Sequence, residues 1–219
     1  MIPAVNGDWS WLWLGWLMAG VGYWQALGRI RSACRASPLP WGPVLVATVA
    51  LVVLWQIRAG TFPGLSLHLM GGMLTTLVLG PGLAAVPLTI ALLSVMAVTG
   101  TDWATLGLNA CLLVFWPLWL SQLLARGVGY LPKHLFVFIF LGGFFSSAIV
   151  VLLTGWLLTI VLWLMQFYSW GGMLEDFASY WLLVAFSEAW ISGMLLTVLV
   201  VYRPERVALF DAVRYIDQA

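Results

Sequence analysis

The chain has 219 residues, of which 63% are apolar and 8% charged, with a formal net charge of +1 at pH 7. A water-soluble domain of this length lacks the polar residues to cover so much apolar surface, and the near-neutral balance offers no basic patch to nucleic acid. What remains is an all-α, polytopic helical membrane protein: several runs approach or exceed the roughly 20 apolar residues that cross a bilayer, and the alternation of a membrane β-barrel is absent.

In chain order the sequence predicts about seven transmembrane helices in a single integral membrane domain over 1–219, with an N-terminal tip at 1–8 and a tail at 203–219. The first two spans are expected at 9–27 and 41–57. The third, at 65–79, is short and stops at Gly80-Pro81-Gly82; its Gly71-Gly72 pair lets another backbone come close. Short or Gly/Pro-interrupted segments of this kind line cavities in transporters. The fourth and fifth spans are expected at 83–99 and 103–125. The sixth, 134–167, is longer than a bilayer requires and reads as one long helix, because no polar turn divides it near Gly142-Gly143 or Gly155. The seventh is expected at 174–202. Fifteen Trp and six Tyr suit a chain with much headgroup-level interface.

Lys and Arg set the orientation. With the N-terminus outside, the inner segments hold Arg29, Arg31, Arg35, Arg126, Lys133, Arg203, Arg206 and Arg214, and the outer ones only Arg58, which is eight of nine basic residues on one side. The C-terminus is then cytoplasmic and the protein a multi-pass protein of the cell (inner) membrane. The outer side holds Asp8, Asp102, Glu175 and Asp176. Asp102 precedes Trp103 and an apolar run, which is the position of a helix N-cap. Cys34 and Cys111 form neither a metal-ligand spacing nor a disulfide framework.

Three polar groups stand inside apolar runs. His68, in Leu65-Ser66-Leu67-His68-Leu69-Met70-Gly71-Gly72, is expected about one turn inside the outer end of the third helix. An ionisable side chain at that depth is a functional-site candidate, and neutral imidazole is a common ligand of nickel, cobalt, copper and zinc. One His needs further ligands from other segments. Glu188 lies near the middle of the seventh span with Ser192 one turn on, on the same face; it is expected protonated or bonded to a donor, either as helix glue or as part of a cation path. Asn109 reads as an interhelical amide or a ligand support. His134 reads as an exposed interfacial residue. No activated nucleophile and no phosphate-binding loop is present, so neither enzyme activity nor a bound nucleotide is expected.

These stretches together carry a resemblance. Ser66-Leu67-His68-Leu69-Met70-Gly71-Gly72-Met73-Leu74, ending in Leu79-Gly80-Pro81, resembles the His-Leu-x-Gly-Gly segment and following Gly-Pro of the cobalt/nickel-transport membrane subunits of energy-coupling-factor ABC transporters. Thr105-Leu106-Gly107-Leu108-Asn109, with Asp102 just before it, resembles that family's Leu-Gly-x-Asn segment. Glu188, Ser192 and Tyr202-Arg203-Pro204-Glu205 resemble its last helix and basic-Pro-Glu ending. The resemblance covers about 60–206.

The resemblance implies a subunit that captures a divalent transition metal, nickel or cobalt, outside the cell. A membrane coupling subunit and cytoplasmic ATPase subunits, all separate chains, power its release inside. It implies His68 as a metal ligand, with Asp102, Asn109, Glu188 and Ser192 in support. It also implies a square-planar ligand set completed by the amino terminus at Met1, the next backbone nitrogen, and the imidazole of a His after the initiator Met. Here that position is Ile2, followed by Pro3, so the imidazole is missing. A different metal, weaker binding assisted by Asp8 or Asp102, and loss of capture all remain open. With capture lost, the chain would be a non-transporting membrane scaffold or assembly factor that keeps the fold.

Overall fold

A computed structural model describes residue 2, residues 9–36, 38–62 and 65–211, and residue 215. The principal helices are α1 (Trp9–Ala36), α2 (Trp41–Gln56), α3 (Gly72–Leu83), α4 (Ala85–Thr99), α5 (Trp103–Gly129), α6 (Leu135–Leu164) and α7 (Tyr180–Tyr202), with a short β-hairpin, β1 (Ala59–Phe62) and β2 (Leu65–Leu67), between α2 and α3. By length and composition α5, α6 and α7 can each cross a membrane, and α3 and α4 form a pair bent by 112°. The fold is that of a helical membrane protein. α1 packs on α5, α2 on α4, and α6 on α7.

The third segment departs from the sequence expectation. Its first residues form β2, paired antiparallel with β1 through Ala59↔Leu67 and Gly60↔Ser66. Residues 68–71 are then irregular, and the helix begins only at Gly72. His68 therefore sits in a loop ahead of α3 rather than on it. The reason is local. Gly71 adopts φ +69, a left-handed conformation that costs a side-chain-bearing residue free energy, and the helix starts about two turns later than expected.

The far end of α3 breaks at Gly80 (φ +77, ψ +160) and Pro81. Pro81 has no N–H to give the Leu77 carbonyl, so the turn cannot continue as a helix. The exposed carbonyls find other donors: Leu209 N–H donates to Leu77 O and Ala208 N–H to Val78 O, each at 3.1 Å. The segment after α7 thus caps α3. Phe138, Phe210 and Tyr215 form an aromatic cluster beside that cap.

Two long helices carry wide turns. α5 has a π-helical turn at Cys111–Phe115, immediately before Pro117, which relieves the clash and missing hydrogen bond that proline imposes. α6 is continuous, as the sequence suggested, but its π-helical stretch Phe138–Phe145 contains Gly142-Gly143. α7 is preceded by a short helix, Trp170–Met173, and a further π-helical turn, Leu174–Ala178.

Tryptophans mostly face outward, as an interface reading expects; Trp9, Trp13, Trp24 and Trp41 are exposed. Trp11 and Trp116 are half-buried, and Trp55 and Trp181 are buried at 0% and 2% exposure.

Candidate functional site

The loop 68–71 is held from three sides. From α7, Glu188 reaches across and accepts two successive backbone N–H groups: Met70 N to Oε2 at 2.8 Å and Gly71 N to Oε1 at 2.6 Å. From α2, Trp55 Nε1 donates to the Met70 carbonyl at 3.1 Å. From α3, Thr75 Oγ1 donates to the Gly71 carbonyl at 2.6 Å. Every one of these partners is buried, so the backbone groups of Met70 and Gly71 are satisfied inside an apolar bundle, as burial demands.

That clamp fixes His68. Its ring lies against the Trp55 ring, centroids 4.5 Å apart and planes 40° apart, and the residue is 6% exposed. Nδ1 lies 3.0 Å from the Leu69 carbonyl. A carbonyl can only accept, so this bond places the neutral ring's proton on Nδ1 and leaves the Nε2 lone pair open. An imidazole with one nitrogen tied to a backbone carbonyl and the other free is the arrangement that metal-ligating histidines use.

A second anchor lies on α5. Asn109, fully buried, accepts the Ile2 backbone N–H on Oδ1 at 2.8 Å, while its Nδ2 donates to Thr105 O (3.2 Å) and Thr105 Oγ1 (3.0 Å). Thr105 in turn donates to Asp102 O at 2.7 Å. The side chain of Ile2 is fully buried and belongs to the same core cluster as Trp55, Leu67 and Met70, which flank His68. Ile2 is thus anchored in the core that surrounds the His68 loop.

The other sequence candidates divide. Ser192 is buried and lines the same groove as Glu188. Asp102 is exposed and caps the first turn of α5, its Oδ1 accepting Ala104 N–H at 3.0 Å. His134 is exposed and caps α6, its Nδ1 accepting Phe136 N–H at 3.2 Å. Met1 and Asp8 lie outside the described residues. Among the described residues no three His, Cys, Asp or Glu side chains converge as a metal cluster.

Sequence reasoning missed Trp55, Thr75 and the backbone of Met70 and Gly71. Trp55 looked like one more interfacial aromatic. A signal was present nonetheless: a carboxylate at mid-span needs donors, and a Gly-Gly pair marks backbone that can turn to supply them.

A comparison with solved structures finds one described as a truncated transition metal transporter, 16% identical, with a TM-score of 0.75 over 92% of this chain and 98% of that one. The two share the fold. No curated protein sequence matches the chain. Residues 8–206 match the family model CbiM, cobalt uptake substrate-specific transmembrane region, and the chain belongs to that family of metal-uptake membrane components.

Proposed function

We propose that the chain is the substrate-capture and permease subunit of an energy-coupling-factor-type importer for a divalent transition-metal cation, cobalt or nickel, with His68 as a ligand. The observation that carries this reading is the restrained, buried His68, its Nδ1 committed to Leu69 O and its Nε2 without a hydrogen-bond partner among the described residues. Glu188 serves as a positioning residue: by holding Met70 and Gly71 it sets where the His68 ring stands. Asn109 positions the Ile2 backbone, and Met1, next to it in sequence, supplies a further donor. Asp102 acts as a helix cap, and Ser192 lies beside Glu188 along the groove.

The Ile2 nitrogen has two competing uses. A backbone nitrogen that coordinates a metal gives up its proton, and one that donates to Asn109 keeps it. Capture through this nitrogen therefore requires the Asn109 bond to open, which couples metal arrival to release of the Ile2 backbone from α5. Orientation follows the basic residues, with the His68 loop toward the outside and Arg203 and Arg206 at the cytoplasmic edge. The partners are a membrane coupling subunit and cytoplasmic ATPase subunits.

The Ile2 observation also favours a second reading, a membrane scaffold that has kept the fold and not the site. Reconstitution separates the two. The chain is placed in vesicles with its coupling and ATPase partners, and ATP-driven uptake of radiolabelled cobalt or nickel is followed. Uptake that His68→Ala removes supports the importer. A correctly assembled complex that hydrolyses ATP and moves neither metal sinks it.

A further inference from the structure

A groove of about 640 Å³ runs between α2 and α7 with α3 as its floor. Its walls are apolar along most of their length, with Val46, Ala47 and Ala50 on one side and Leu195 and Val198 on the other, and Arg203 and Arg206 stand at one end. Val46 and Val198 are exposed, so the groove opens sideways, toward the lipid in a membrane. The end away from the arginines reaches Leu69, Gly71 and Glu188 of the His68 clamp, while the arginine end lies apart from it; the reading of that end uses only the membrane orientation.

Two observations say what fits. The first is length. Along α7 the groove runs from Arg203 to Ser192, eleven residues and ~16 Å of helix, before it meets Glu188 of the clamp. One leaflet of a bilayer's hydrocarbon core is about 15 Å deep, so an occupant whose head rests at Arg203 has an apolar wall for the depth of one leaflet. The second is charge. Glu205 lies 3.9 Å from Arg203 in an exposed pair, a geometry that holds a guanidinium weakly. Arg206 has no ion-pair partner among the described residues. It also lines an adjoining cavity with Pro40, Gly42 and Glu205, so the cationic end widens where the groove leaves the hydrocarbon depth.

We propose that this groove binds one acyl chain of an anionic phospholipid of the cytoplasmic leaflet, with the phosphate on Arg203 and Arg206. The planar guanidinium forks suit a phosphate, and a position at the inner edge suits anionic lipid. The lipid then fills the gap between α2 and α7, the two helices that supply Trp55 and Glu188 to the His68 loop.

The test is native mass spectrometry of the full chain in detergent, titrated with phosphatidylglycerol or phosphatidylcholine of the same acyl chains. The wild type is expected to retain a first phosphatidylglycerol with roughly tenfold preference or more. Arg203→Gln with Arg206→Gln should bring the two lipids to parity. Ala47→Trp, which fills the groove and leaves both arginines in place, should lower retention of both lipids. Equal retention of the two lipids by the wild type, a comparison that needs no variant, would overturn the proposal. So would phosphatidylglycerol retention unchanged in both variants, or an Ala47→Trp change that displaces a co-purifying membrane protein and leaves the lipid bound.

Discussion

Replacing Glu188 by Gln tests the clamp on the His68 loop. The carboxylate offers two oxygens to two backbone donors, Met70 N–H at 2.8 Å and Gly71 N–H at 2.6 Å, and is 3% exposed. A glutamine has the same shape but one acceptor and one NH₂ donor. One bond survives, and the other site sets a donor against a donor with no water nearby. Leaving one buried N–H unpaired costs about 1–3 kcal/mol, and the repulsive pairing puts the variant toward the upper half of that range. The loss is local to residues 70 and 71, so it also loosens His68, two residues away. Losing a partner that orients a ligand typically lowers metal affinity about 10–100-fold. Two assays read the two effects: the apparent melting temperature in one detergent at one scan rate, since membrane-protein unfolding is seldom reversible, and a metal titration at fixed pH. Ser192→Ala is the control, because Ser192 lies one turn away on the same face; it should move neither quantity by much. The reasoning is refuted if Glu188→Gln melts with the wild type and binds metal with unchanged affinity.

Other changes probe the rest of the site. Asn109→Ala removes the acceptor of Ile2 N–H and the donor to Thr105; it should cost about 1–3 kcal/mol and release hydrogen-exchange protection at the Ile2 N–H, and unchanged protection there would contradict the anchoring role. Trp55→Phe keeps an aromatic ring beside His68 and drops the bond to Met70 O; a loss of about 1 kcal/mol in stability is expected from the bond, smaller than for Glu188→Gln, and an equal or larger loss would mean that the space left by the smaller ring matters more than the bond. Gly107→Ala attacks the α1–α5 crossing, where an added Cβ would stand 2.7 Å from the Trp16 backbone; helices that meet backbone to backbone cannot absorb it, and a loss of about 1–3 kcal/mol should appear as a lower melting temperature. An unshifted melt would show that the crossing relaxes freely.

Much of the fold was legible because bilayer-length apolar runs are a strong signal. The runs at 41–57, 83–99 and 103–125 correspond closely to α2, α4 and α5, and the 134–167 run to the unbroken α6. The third run was not legible as a hairpin, a loop and a short helix. Its strands are four and three residues long, too short for an alternation to show, although Pro63-Gly64 between them is a turn signal in the sequence. Within the site, His68, Glu188 and Asn109 stood out because each is a polar group in an apolar run. Their partners did not, since most are backbone atoms: Met70 N, Gly71 N, Leu69 O and Ile2 N carry no residue-type signature. Only the folded chain brings a mid-span carboxylate of α7 against a loop 117 and 118 residues earlier.

The central claim is that His68 is a ligand for a captured transition metal. Calorimetric titration of the purified chain in detergent with Ni²⁺, Co²⁺, Cu²⁺ and Zn²⁺, wild type beside His68→Ala, tests it most directly. The account predicts saturable binding of at least one of these ions by the wild type and its loss in His68→Ala, with the helical content of the two proteins unchanged. A wild type that binds none of the four, or binding that His68→Ala leaves intact, would contradict it.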